Sequence, residues 1–230
     1  MWSIYKSSER TVLFILVIRV FKLLPLPISP EKTFALFNYK SFTILVLASL
    51  AVSIIHQIYF LQTGPFLSAI GIKDSAIGPA MTIGQFAEIA TMAYLGFFLK
   101  RLGFRKVIAI GVFAYFARYA IFGTTVFPAW IMVLSQALHG FCYAFFFAAG
   151  YIYVDKIADE DVRHSAQTVF GIIILGGGPV IGGWLSGKLQ EINTTAGTFD
   201  YATFWYTLAG IGFVTALFFF SLFKDETEKS

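Results

Sequence analysis

The sequence predicts an all-α polytopic membrane protein with six transmembrane helices. Three observations lead there. The chain is 57% hydrophobic and only 13% charged, about half the charged fraction of a soluble domain. Six long apolar runs follow one another, separated by polar breaks. The basic residues of those breaks fall on one side of an alternating path.

The spans are expected at 41–62, 76–99, 106–124, 129–154, 166–187 and 203–223. Each is long enough to cross a ~30 Å hydrocarbon core as a helix. A spanning β-barrel would need ~10-residue alternating segments, and these runs are continuous. Ahead of them, Lys6 and Arg10 precede a short apolar stretch within 11–24. It is short for a span and lacks the small-residue site of a cleaved signal. It reads as an interfacial helix or the remnant of a preceding span, and Pro25, Pro27 and Pro30 break any helix beyond it. The expected organisation is an N-terminal segment at 1–40, a bundle at 41–223 and a tail at 224–230.

Loop charge sets the orientation. One side collects Lys32, Lys40, Lys100, Arg101, Arg105, Lys106, Lys156, Arg163, Lys224 and Lys229; the other holds Lys73 and Lys188. Both ends of the bundle are therefore expected in the cytoplasm, in a plasma membrane or a bacterial inner membrane. Several chemistries are excluded. Cys142 is the single cysteine, and His56, His139 and His164 lack metal-ligand spacing. Neither a Gly-x-Ser-x-Gly site nor His-Glu-x-x-His occurs. An enzyme is not expected, nor a metal, a cofactor or a nucleic-acid partner.

Two charges stand at membrane depth, where each is costly and marks a pathway by default. Glu88 lies 12 residues before Lys100 and Arg118 lies 12 after Lys106, so both sit ~18 Å from the same membrane face. Equal depth suggests an ion pair, or two walls of one aqueous cavity. The plainer alternative is a pair that only fixes helix packing. Around them run polar and aromatic stripes: Ser49, Ser53, Gln57 and Phe60, with His56 beside them; Gln85 and Glu88; Tyr115, Arg118, Tyr119 and Phe122; Gln136, His139 and Tyr143. Such a lining suits a ligand with a flat face and hydroxyls. Glu88 is the better proton carrier, its charge set by burial against a neighbouring cation. His139 is the second candidate. The fifth run is rich in glycine, with a bend expected at Gly176–Pro179 and close packing at Gly178/Gly182 and Gly183/Gly187.

The string Phe98-Leu99-Lys100-Arg101-Leu102-Gly103-Phe104-Arg105-Lys106 resembles the basic loop between the second and third helices of a major facilitator half. Lys100, Arg101, Gly103, Arg105 and Lys106 are its matching residues, although the loop's usual Asp is absent. Ile83-Gly84-Gln85-Phe86-Ala87-Glu88, Ala117-Arg118-Tyr119, His139-Gly140-Phe141-Cys142-Tyr143-Ala144-Phe145-Phe146 and Val162-Arg163-His164-Ser165-Ala166-Gln167 are similar to the C-terminal half of the nucleoside:proton symporters of that superfamily.

The resemblance implies one half of a twelve-helix fold, with inverted three-helix repeats at 41–124 and 129–223. It implies alternating-access transport of a nucleoside driven by a proton gradient, and a second six-helix half, from another chain or by self-association. Gln57, Gln85, Arg118 and Tyr143 then fall on substrate positions, with Phe60 or Tyr143 stacking on the base; Glu88 and His139 handle the proton. Some members carry an acid where this chain has Ala144, and His139 is the group at hand to replace it. The alternatives are a transporter of another small polar solute, or a non-transporting half that serves as a membrane interaction subunit.

The charge pattern makes a direct prediction. A cysteine placed at Thr194 should react with an impermeant maleimide on intact cells. One placed at Arg101 should react only after permeabilisation. Equal labelling of both would refute the orientation.

Overall fold

A computed structural model of the chain describes residues 36–124, 127–160 and 162–227. The expected interfacial helix at 11–24 lies outside the described residues. Among these residues, five helices are long and apolar enough to cross a membrane. They are α1 (Lys40–Ala69), α2 (Asp74–Gly123), α3 (Ala129–Ile157), α4 (Arg163–Ile192) and α5 (Tyr201–Leu222). The count is one below the six expected, because the second and third runs are joined in the 50-residue α2.

The joint is a single residue. Gly103 has φ 74° and ψ 166°, the one non-helical position inside α2. Only glycine adopts that backbone without a steric penalty, so the basic segment forms a sharp break rather than a loop. Its neighbours brace it. Arg105 donates from Nε and Nη2 to the carbonyl of Phe220, at 3.1 and 2.6 Å, and lies over the Phe220 ring. That carbonyl belongs to the last turn of α5, which has no helical partner of its own. On the other side of the break, the Phe104 amide donates to Asp225 at 3.2 Å. An acid from beyond α5 thus stands where the connection itself has none.

The expected first span stops too early. Gln62, Thr63, Phe66 and Leu67 are all buried and carry α1 on to Ala69, through Pro65. The Thr63 hydroxyl donates to the Tyr59 carbonyl at 2.7 Å, and the Gln62 amide reaches Ser186 of α4 at 3.0 Å. A polar pair between two helices replaces the loop that hydropathy alone suggests.

Two helices depart from α geometry. Cys142–Ala148 within α3 and Ile172–Gly177 within α4 are π-helical. The second stretch ends where a bend was expected, just ahead of Pro179. Between α4 and α5, strands β1 (Thr194–Thr195) and β2 (Thr198–Phe199) form a hairpin. Its two central residues, Ala196 and Gly197, both have positive φ, the geometry that suits a two-residue hairpin turn. Asp200 then caps α5 by accepting from the Thr203 amide and hydroxyl at 3.0 and 2.6 Å. These bonds hold its carboxyl below the usual range.

The helices meet through small residues and rings. Trp205 of α5 stacks on Tyr119 and meets Phe122 edge-on. Gly178 lies directly against Ser53, and Gly182 against the Ile54 carbonyl. Gly140 is seated on α2 so closely that a β-carbon would stand 2.5 Å from the Ala87 carbonyl. At Gly183 nothing lies within 4 Å of that position. Gly140→Ala should therefore cost about 1–3 kcal/mol through overpacking, while Gly183→Ala should be neutral or stabilising. Cys142 is the only cysteine and fully buried, so a thiol-reactive dye followed on heating reads both. Equal melting temperatures for the two variants would contradict the packing.

Candidate functional site

The expected acid and base stand where the sequence places them, but do not touch. Glu88 is 15 residues before the Gly103 break and Arg118 is 15 after it, about 22 Å along each helix. His139 of α3 stands between them. Its Nδ1 is 2.9 Å from Arg118 Nη1, and its Nε2 is 3.6 Å from Glu88 Oε2. The pair expected from depth alone is a line of three groups from three helical segments.

Arg118 is fully buried. Its guanidinium carbon lies 3.8 Å from the centre of the Tyr59 ring, with Tyr119 at 5.2 Å and Tyr115 at 5.6 Å. No carboxylate pairs with it among the described residues. Ring faces carry partial negative charge and stabilise a desolvated cation by ~2 kcal/mol or more. The tyrosine hydroxyls are held in turn. Tyr59 donates to Gln136 Oε1 at 2.9 Å, Tyr119 to the Ile55 carbonyl at 2.9 Å, and the Tyr115 hydroxyl is hydrogen-bonded to His56 Nδ1 at 2.9 Å. His56 itself stacks on His139, with ring centres 5.4 Å apart and 13° between planes.

Beside this cluster opens a cavity of about 220 Å³ between α1, α3 and α4. His56, Gln57 and Phe60 line it from α1, Tyr143 and Tyr151 from α3, and Leu175 from α4. A second hollow of about 480 Å³ shares Tyr143, Phe147 and Tyr151 and reaches Met92 and Leu95 of α2. Both π-helical stretches contribute to the first cavity, through Tyr143, Phe147 and Ile174. Wider turns of this kind recur at functional sites.

The structure therefore sorts the expected residues. Gln57, Phe60 and Tyr143 line one cavity. Gln85 is exposed on α2 and lines neither. Glu88 is partly exposed, with 24% of its side chain accessible, while His139 is buried behind it. Arg118 is walled off from both cavities by rings. Lys100, Arg101, Gly103, Arg105 and Lys106 stand at the distant end, at the break. The sequence reading missed the roles of Tyr59, Phe147 and Tyr151. Tyr59 falls between the recognised stripes, and only its hydroxyl at mid-span signalled a partner.

The helical bundle thus holds a buried cation, a partly exposed acid and an aromatic–amide cavity. The chain belongs to the nucleoside H+ symporter family, whose model matches residues 28–228. The nucleoside permease NupG of Escherichia coli is 33% identical over 162 residues, 69% of this chain and 38% of that protein. The xanthosine permease of the same organism is 29% identical over 170 residues, 72% of this chain and 40% of that protein. A crystal structure of the nucleoside transporter NupG superposes with a TM-score of 0.75 at 31% identity, covering 88% of this chain and 52% of that one. The chain thus spans about half the length of the relatives it matches.

The tyrosine cage yields a test. Tyr59→Phe keeps the ring over Arg118 but strips Gln136 of its partner, and Gln136 Nε2 already has none. One orphaned buried acceptor costs about 1–3 kcal/mol. The melting temperature should fall accordingly, and an unchanged value would mean that the amide is not confined as described.

Proposed function

We propose that this chain forms one wall of a proton-coupled nucleoside transporter that works by alternating access. The cavity beside His56 would receive the nucleoside. Gln57 offers both amide donors and an acceptor for ribose or base edges, and Phe60 and Tyr143 offer faces for stacking. Glu88 would take and release the proton, with His139 as its immediate neighbour.

On this reading α2 crosses the membrane twice, turning at Gly103, so the chain makes six crossings as two inverted three-helix repeats. The Gly103 end and both ends of the bundle face the cytoplasm of a plasma membrane or a bacterial inner membrane. A second six-helix half closes the cavity. Two exposures support that partner. Gln85 presents an amide at mid-helix, which lipid would leave unsatisfied. Leu175 lines the cavity yet is 72% exposed.

The observation that carries the proposal is the Glu88–His139–Arg118 line beside the cavity, in a chain of this family. A partly exposed carboxylate can meet water, with 24% of its side chain accessible; a cation sealed behind it cannot leave. The test is uptake of labelled uridine by vesicles holding this chain and its complementary half. Glu88→Gln should abolish accumulation driven by a pH gradient yet leave uridine exchange at equal concentrations running. Undiminished accumulation in that variant would remove Glu88 from coupling.

A further inference from the structure

We propose that Arg118 is a positioning residue that fixes the tautomer of His139, making His139 a hydrogen-bond bridge to Glu88 and not a carrier of the proton. The inference deepens the transport reading above and rests on it for its functional meaning.

Hydrogen-bond direction carries the argument. A guanidinium has donors only. Its Nη1 lies 2.9 Å from His139 Nδ1, so Nδ1 must present a lone pair. A doubly protonated ring has no such acceptor and could not take this bond. The ring is then neutral, and its one N–H is at Nε2. That nitrogen points to Glu88 Oε2 at 3.6 Å, close enough to meet it with a small side-chain shift. In this arrangement Glu88 faces an N–H donor.

The neighbours of the ring hold it in place. From α1, Tyr59 and His56 stack on it at 5.6 and 5.4 Å, and Phe60 meets it edge-on at 5.8 Å. From α2, Gly84 leaves room for its Cβ, where a methyl group would sit 3.0 Å away. From α3, Tyr143 lies at 6.4 Å. Glu88 and Arg118 are the charged groups that face it. A ring flip would exchange Nδ1 for a carbon and abandon the guanidinium, whose Nε already lacks a partner. Arg118 cannot turn aside to find another, since rings close it in.

The cage explains why the cation is there at all. A guanidinium sealed behind tyrosines cannot contact a solute in the cavity. Through His139, however, it determines which atom faces Glu88. A proton arriving at this line would then reside on the Glu88 carboxyl, while His139 keeps its own.

Two measurements test this. In the full chain labelled with ¹⁵N-histidine in membranes, the His139 imidazole shifts should report a single Nε2–H tautomer. Arg118→Met, which keeps bulk but no donor, should release it into a mixture or into the charged ring. A Nδ1–H ring in the unaltered chain, or an unchanged spectrum in Arg118→Met, would overturn the proposal. Should that variant fail to fold, the unaltered spectrum still decides. These spectra are read without transport, so their outcome is separate from that of the uptake experiment.

The second measurement is uptake by His139→Gln with the complementary half present. The amide offers a carbonyl to Arg118 and an N–H to Glu88, so uptake should stay within about tenfold, the cost of one imperfect hydrogen bond. His139→Phe, which offers neither, leaves both partners unpaired and should lose roughly 100-fold or more. Loss of pH-driven accumulation in His139→Gln, with exchange intact, would make the imidazole the carrier and defeat the proposal.

Discussion

The burial of one guanidinium governs the centre of this protein. Arg118 is fully enclosed in the second half of α2, where water cannot solvate it. A charge in that position is expensive unless the protein supplies its own compensation. Three tyrosine rings and one imidazole nitrogen do so. They come from α1, α2 and α3, so the cation ties together the helices that border the cavity. Each tyrosine hydroxyl must then find a hydrogen-bond partner, which recruits Gln136, the Ile55 carbonyl and His56. The polar network spreads outward from a single cost.

Such a network demands close helices, and membranes offer little hydrophobic drive to bring them together. Small residues answer that need at the contacts nearest the cluster. Gly84 sits on His139, Gly140 one residue beyond sits on Ala87, and Gly178 and Gly182 let α4 approach Ser53 and Ile54. The ends are managed differently. At the Gly103 break, Arg105 and Asp225 cross-brace α2 to the end of α5, and the Ser41 hydroxyl donates to Glu226 at 2.6 Å. One end of the bundle is thus pinned by polar contacts, while the cavity side keeps exposed rings and an open amide.

Much of this was legible in the sequence, for identifiable reasons. Apolar runs fix helices strongly, and counting from Lys100 and Lys106 places Glu88 and Arg118 at one depth. Helical spacing alone puts Gln57 with Phe60, and His139 with Tyr143, on shared faces. What spacing cannot reveal is which side chain comes between two others. The His139 bridge depends on how α3 is rotated against α2, and that rotation follows from Gly84 and Gly140 meeting their partners. Asp225 looked like tail because its partner, Phe104, lies 121 residues away. The π-helical stretches leave no periodic trace, and Tyr59 reads as one more apolar ring until its hydroxyl is traced to Gln136. The run beyond Gln62 reads as a loop in isolation because Thr63, Gly64 and Pro65 look like a break.

The interposed imidazole has a consequence that a direct pair would lack. Two opposite charges 4 Å apart attract by about 4 kcal/mol at an effective dielectric of 20, and doubling the separation halves that. A carboxylate bonded to Arg118 would also be drawn into the tyrosine cage, away from the cavity. Removing either partner of such a pair would leave a bare buried charge. With His139 between them, the cation stays compensated by rings whatever the state of Glu88. The acid stays partly exposed, 24% accessible, within reach of water. The permanent charge and the exchangeable one are kept on separate supports and joined only through a neutral ring whose donor faces the acid. On the transport reading, this separation would let one carboxyl change its charge without unmaking the bundle around it.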